Sequence, residues 1–274
     1  MFPFRAALNA STLFPYELGI REQIRVAAEA GYDGIEIWVK DLQQYVADGG
    51  TAAELREEAA AEGIEIANAI SFIPWADEDE DVRLRAAAQT DQELALLAEL
   101  GCPSFAAPPF GNVAAATLDR IAVRFGELAK QASGYGVTPI AEFWGRSPKL
   151  SRLSEAVYVA MQSRVPGAAI LLDPFHMYTG GSDLADLDFL SGSRIGIVHA
   201  NDYPELPPRE TIGDEHRLFP GDGIAPSGEF ARRLHRLGYQ GFLSLELFLP
   251  DVGGSSPLEL ARHGLDKMKR AYSI

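Results

Sequence analysis

Cysteine is almost missing from this chain. Cys102 is the single thiol among 274 residues, so no intrachain disulfide can form, a reducing compartment fits, and a site built from several thiolates is excluded. Following an apolar helical stretch, Cys102 reads as a small core residue. Positive charge is scarce. Lys+Arg 24 against Asp+Glu 39 leaves a net charge of −15, and such a chain repels phosphate backbones, which argues against nucleic acid as a partner. No apolar run approaches the roughly 20 residues that span a bilayer, so no membrane span is expected. The N-terminus shows no basic segment leading into an apolar stretch, and the chain reads as soluble and cytoplasmic. Glycine is missing where a dinucleotide site would need it. After the first apolar run comes Asn9-Ala10-Ser11-Thr12, with none of the glycines of a phosphate-binding turn.

What the sequence does contain is a repeated alternation. Hydrophobic residues make up 47% of the chain, enough for a sizeable core. Short apolar runs at 4–8, 34–38, 64–70 and 105–107 read as the first four strands. Four more end on polar side chains: 137–141 before Glu142, 169–172 before Asp173, 195–198 before His199 and 242–245 before Glu246. Between them lie stretches of helical periodicity, at 16–30, 51–62, 82–100, 114–135, 153–164, 184–190, 229–237 and 256–272. Gly31, Gly63, Gly101 and Gly238 close four of these in the manner of C-cap glycines. The acidic run Asp77-Glu78-Asp79-Glu80-Asp81 reads as the solvated start of the third helix, where negative charge suits the helix dipole. A loop with five prolines, 200–226, follows the seventh strand. Eight strand–helix units in about 250 residues predict a closed (β/α)8 TIM barrel rather than an open doubly wound sheet. No composition break divides the chain, so 1–274 reads as one domain.

In such a barrel the carboxyl ends of the strands converge on one face, where active sites are built. Glu142, Asp173, His199 and Glu246 would arrive there from strands five to eight, as neighbours around the ring. Each alone has a plain structural reading: a helix cap, a salt-bridge partner, a hydrogen-bonded core histidine. All four at equivalent places on consecutive strands favour a shared cation. Three carboxylates and an imidazole suit Mn2+, Mg2+ or Co2+, with Zn2+ admissible. Mn2+ is preferred. Asn9, Glu36 and Asn68 end the first three strands and are expected to line the pocket, although Glu36 has Arg5 as an alternative partner. His176, in Asp-Pro-Phe-His, is expected to meet a substrate hydroxyl or carbonyl or else to cap its loop. Arg217 lies in the long loop, with a surface salt bridge to Asp214 or Glu215 as its alternative. Trp38 and Trp144 are expected to form apolar walls.

At these residues the chain resembles the sugar isomerase and epimerase superfamily of xylose-isomerase-like barrels, over nearly its whole length. It is most similar to the 2-keto-myo-inositol (inosose) isomerases of inositol catabolism. The likeness is carried by Ala141-Glu142-Phe143, by Leu172-Asp173-Pro174-Phe175-His176 and by Val198-His199-Ala200-Asn201-Asp202. The loop 214–223 and Leu245-Glu246-Leu247-Phe248 complete it. It implies one divalent metal held by Glu142, Asp173, His199 and Glu246, with His176 and Arg217 facing a sugar or cyclitol. Keto-sugar epimerases and hydroxypyruvate isomerases share that set. Where the inosose isomerases have a second acid after the strand-seven histidine, this chain has Ala200-Asn201 before Asp202.

The chemistry so implied is metal-assisted proton transfer beside a carbonyl, with Glu142 and Glu246 as the catalytic acid–base pair. An inosose dehydratase-type lyase on the same metal is the alternative, and a sugar-binding barrel without activity is another. An endonuclease-type hydrolase of this fold would cluster three zinc ions and need more histidines than His176, His199 and His216 supply near the face. The oligomeric state stays open, a homo-oligomer included.

Overall fold

The computed structural model describes residues 1–274. Eight strands follow one another around a closed ring: β1 Arg5–Asn9, β2 Gly34–Trp38, β3 Glu65–Ile70, β4 Ser104–Ala107, β5 Thr138–Ala141, β6 Ile170–Leu172, β7 Ile195–Ala200 and β8 Phe242–Leu245. All pairings are parallel, and β1 pairs with both β2 and β8, which closes the barrel. The helices are α1 Ile20–Ala30, α2 Val39–Ala47, α3 Ala52–Ala61, α4 Glu80–Leu100, α5 Leu118–Ser133, α6 Leu153–Gln162, α7 Pro174–Gly180, α8 Ser227–Arg236 and α9 Pro257–Ala271. Gly31 and Gly101 end α1 and α4 at φ of 93° and 79°, a left-handed conformation that costs a glycine little. No helix is long and apolar enough to cross a membrane.

Side chains alternate along a strand between the two faces of the sheet. Leu8, Ile35, Ala69, Phe105, Ala141, Leu172, Val198 and Leu245 face outward and pack under the helices in one large core. The opposite face fills the barrel with Ala7, Ala106, Ile140, Leu171 and Ile197. Two residues further along four of those strands, on the same inward parity, stand Asn9, Glu142, Asp173 and His199; Glu246 follows Ser244 by the same step. An apolar plug thus fills the lower barrel, and the polar residues form the layer above it.

The sequence-level reading departs from the structure in five places. The segment 16–30 is not one helix: a 3-10 turn, Ala10–Tyr16, containing Pro15, precedes α1. Helix α2, directly after β2, was not foreseen. Only Val39 and Leu42 are buried in it, too few to make a periodic signal. Helix α7 lies where the sequence shows no helical pattern, because at seven residues it is too short to show a period. The segment after it, Leu184–Phe189, is a 3-10 turn. In the acidic run the helix begins only at Glu80. Asp79 caps it, and the buried Asp77 accepts from the backbone N–H groups of Asp79 and Asn112. Cys102 is buried, as expected.

Candidate active site at the carboxyl ends of the strands

Three of the expected ligands meet. Donor atoms of Asp173, His199 and Glu246 lie within 4.8 Å of one another, and all three residues are buried. His199 Nδ1 is 2.9 Å from Glu246 Oε2 and 3.3 Å from Asp173 Oδ2. Asp173 also caps α7: its Oδ1 accepts from the N–H groups of Phe175 and His176 and from Asn201 Nδ2. The capping and ligand readings of this aspartate are therefore compatible, because each uses a different oxygen. Glu142, the fourth of the set, is not part of the close group. It is buried just past β5, and its Oε1 accepts from Trp144 Nε1 at 3.0 Å.

Arg217 is buried beside them rather than on the surface. Its Nη1 donates to Asp173 Oδ2 at 2.7 Å and to Glu246 Oε2 at 2.8 Å. Its Nε and Nη2 both donate to Asp214 Oδ1. The expected Asp214 pair thus forms, but as one arm of a buried network. The guanidinium lies over the Phe175 ring at 4.6 Å, and His176 Nε2 is 3.4 Å from Nη2.

Asn9, Glu36 and Asn68 were expected to line the pocket. All three are fully buried in the barrel and bonded to one another, with Glu36 accepting from both asparagines at 2.8 Å. They do not border the cavity. Arg5 pairs with Glu65 and not with Glu36. The cavity has a volume of about 760 Å³ and is bordered by Glu142, Glu246, His176, Arg217, Trp38 and Trp144 among others. Trp38, Phe72, Trp144 and Phe110 form a run of rings, with centroid spacings of 5.2, 6.1 and 6.4 Å. The lining thus combines aromatic faces with charged groups, and the two touch: Trp144 bonds Glu142, and Arg217 lies over Phe175. The sequence reading gives no site role to Phe72, Phe110 or Ser244, and names Asn201 and Phe248 only within the motifs that carry the resemblance. For Ser244 and Phe248 the signal was available: each lies two residues from Glu246 and so shares its inward face.

Burial shapes the electrostatics. It pushes the Glu142 carboxyl up to about 8, opposed by His199 and reinforced by Glu246 and Asp173. It pushes the His176 imidazole down to about 4, against the pull of Asp173 and together with Arg217. For His199, burial works against the charged form but is outweighed by Glu246 and Glu36, so its pKa lies well above the ordinary value. For Asp173, burial is outweighed chiefly by the Arg217 guanidinium, and the carboxyl stays ionised well below the usual range.

A closed parallel barrel that gathers carboxylates and an imidazole at the carboxyl ends of its strands defines a (β/α)8 barrel with the layout of an enzyme of that class. The chain belongs to the xylose isomerase-like TIM barrel family, whose model matches residues 24–271. It is 31% identical over 140 residues to an inosose isomerase of Bacillus licheniformis, covering 50% of this chain and 49% of that protein. It is 28% identical over 239 residues to a 3-dehydroshikimate dehydratase of Pseudomonas aeruginosa, covering 83% of this chain and 36% of that protein. The matched part therefore spans half or less of the length of these curated relatives. Among solved structures, the IolI protein with a binding zinc atom superposes with a TM-score of 0.85 at 21% identity, over 98% of this chain and 96% of that one. At that identity the likeness speaks to fold alone.

Proposed function

We propose that the chain is a divalent-metal-dependent isomerase or epimerase of an uncharged keto-sugar or inosose. The observation that carries this reading is the distribution of charge around the cavity. Two carboxylates, Glu142 and Glu246, face it from strands three staves apart, and the buried guanidinium that borders it, Arg217, is already paired with acids. Arg217 is committed to Asp173, Glu246 and Asp214. Arg146 is committed to the backbone carbonyls of Arg209, Glu210 and Ile212. Burial keeps His176 neutral. Beside Glu142 and Glu246 a ligand bearing its own carboxylate would meet only a guanidinium already paired with acids, whereas a neutral polyol finds carboxylate acceptors and aromatic faces there.

The donor set fits a metal. Asp173 Oδ2, Glu246 Oε2 and His199 Nδ1 converge, with Glu142 as the proposed fourth ligand, and oxygen-rich donors with one imidazole suit Mn2+ ahead of Mg2+, Co2+ or Zn2+. Bound there, such an ion supplies a Lewis acid that polarises a carbonyl and the adjacent hydroxyl. In its ionised form Glu142 would take the carbon-bound proton, and Glu246, after drawing a proton from solvent or from a substrate hydroxyl, would return one to the neighbouring carbon or to the opposite face. His176 holds a substrate hydroxyl. Trp38 and Trp144 cover the apolar face and exclude water.

The similarity to a 3-dehydroshikimate dehydratase gives the second reading, a lyase on the same residues. One experiment separates them. The protein is incubated with Mn2+ in deuterated water against inososes, keto-sugars and 3-dehydroshikimate. Isomerised product carrying solvent deuterium is expected, and Glu142→Gln abolishes the exchange while metal still binds. Loss of water from the substrate establishes the lyase. Metal and ligand binding without exchange establishes a binding protein.

A further inference from the structure

The barrel interior holds a carboxylate with no part in the chemistry proposed above. Glu36 is fully buried in the middle of β2, in a layer whose lower neighbours are alanine, leucine and isoleucine. An unpaired charge there would be costly, yet every neighbour of this one is a donor. Asn68 Nδ2 donates to Oε1 at 2.8 Å. Asn9 Nδ2 and Ser244 Oγ donate to Oε2 at 2.8 Å and 2.7 Å. The remaining neighbour is His199, whose Nε2 is 3.2 Å from Oε2 and 3.3 Å from Oε1. The two nitrogens of His199 therefore face different partners. Nε2 faces the Glu36 carboxylate below, and Nδ1 faces Asp173 and Glu246 above.

We infer that Glu36 is a positioning residue for metal capture: it holds the Nε2–H of His199, so that Nδ1, facing the Asp173–Glu246 pair, is the nitrogen that gives up its proton to a cation. The inference rests on the metal reading given above. A neutral imidazole has one N–H and one lone pair, and the hydrogen bond made by one nitrogen selects which nitrogen can ligate. Glu36 has no proton of its own to offer, so an imidazole turned toward it must keep its proton on Nε2. Asn9, Asn68 and Ser244 hold the carboxylate in place from three strands, β1, β3 and β8. Asn9 is itself oriented by Trp38, whose Nε1 donates to Asn9 Oδ1 at 3.0 Å. The cavity wall and the buried carboxylate thus share one hydrogen-bonded chain.

A purely structural Glu36 would neutralise a buried imidazolium and affect folding stability alone. The two roles separate in one experiment. Zn2+, a diamagnetic probe, is titrated calorimetrically into the full chain and into its Glu36→Gln and Ser244→Ala variants, with thermal unfolding of each metal-free protein recorded alongside. The 15N shifts of His199 are read in the Zn2+-loaded wild type. Zn2+ affinity is expected to fall roughly 10- to 100-fold in Glu36→Gln and by less in Ser244→Ala, as for removal of other outer partners of metal-bound histidines. His199 is expected to ligate through Nδ1 and keep its proton on Nε2. Unchanged affinity in Glu36→Gln, or ligation through Nε2, overturns the positioning role and leaves the metal site standing. If Glu36→Gln does not fold, the wild-type shifts decide alone. Failure of the wild type to bind Zn2+ overturns the metal reading and this inference with it.

Discussion

At the scale of single residues, the site holds two protons that a cation must displace. Burial, with Glu246 and Asp173 adding to it, raises Glu142 to about 8, so near pH 7 it is mostly protonated. Glu246 and Glu36 outweigh burial to keep His199 protonated as well. Ligands must be deprotonated to bind metal, so binding releases protons and tightens as pH rises toward 8. The sign follows from which state holds the proton: the metal-free protein does, the loaded one does not. Calorimetric titration at pH 7 in buffers of different ionisation enthalpy counts the protons released. The wild type is expected to release about one proton more than Glu142→Gln. Equal counts remove Glu142 from the ligand set and leave Asp173, His199 and Glu246. Asp173, His199 and Glu246 were legible in the sequence because each ends or nearly ends an apolar run. The placement of Glu36 was not, since a glutamate inside a strand reads the same whether it meets the cavity or a histidine below it. The depth of Arg217 was hidden too, because sequence offers Asp214 and Glu215 as surface partners and does not show the fold-back onto β6 and β8.

At the scale of elements, the long loop after β7 is the part whose order needs explaining, and Asp202 explains it. Its backbone pairs with Leu218 in both directions at 2.9 Å, an isolated antiparallel bridge across the base of the loop. Its side chain accepts from the N–H groups of Tyr203, Gly221 and Ala225 at 2.8, 2.9 and 2.7 Å. Gly223 passes so close that a Cβ there would sit 2.2 Å from the Tyr203 carbonyl oxygen. One buried carboxylate therefore ties both ends of the loop, and Arg217 is placed because Leu218 is pinned. Asp202→Ala leaves buried N–H groups unpaired, each costing about 1–3 kcal/mol if it finds no water. The expected result is faster proteolysis within 203–225 and a raised KM, on the order of tenfold, with the barrel's circular dichroism unchanged. Asp202→Asn, which keeps one acceptor oxygen, is expected to lose less. Proteolysis and KM at wild-type levels in Asp202→Ala would remove this account of the loop. The sequence marked 200–226 as loop through its prolines, but not which residue closes it, because a closing carboxylate and a solvated one have the same local pattern.

At the scale of the whole molecule, the barrel was legible because strand and helix alternate so regularly that few other folds accommodate them. The irregular units escaped, α2 for want of buried residues and α7 for want of length, and neither alters the ring. The ring's cost is electrostatic: it brings Asp173, Glu246, Glu142, Glu36, His199 and Arg217 together out of water, and attraction among buried charges only partly offsets their desolvation. A divalent cation that binds the native site and not the unfolded chain shifts folding by mass action, about 2.7 kcal/mol at a hundredfold excess over Kd. For a domain near this size that corresponds to a rise in Tm of roughly 5 °C. Calorimetric scans with Mn2+, Mg2+, Co2+ and Zn2+ at matched ionic strength are expected to show the rise for at least one of them and its reversal by a chelator. Asp173→Asn is expected to abolish it, because the neutral amide weakens the ligand set where Oδ2 faces His199 and Arg217. A shift of equal size in Asp173→Asn would place the stabilising ion elsewhere on this acidic surface, and no shift with any of the four ions would leave the Asp173–His199–Glu246 group balanced by Arg217 alone.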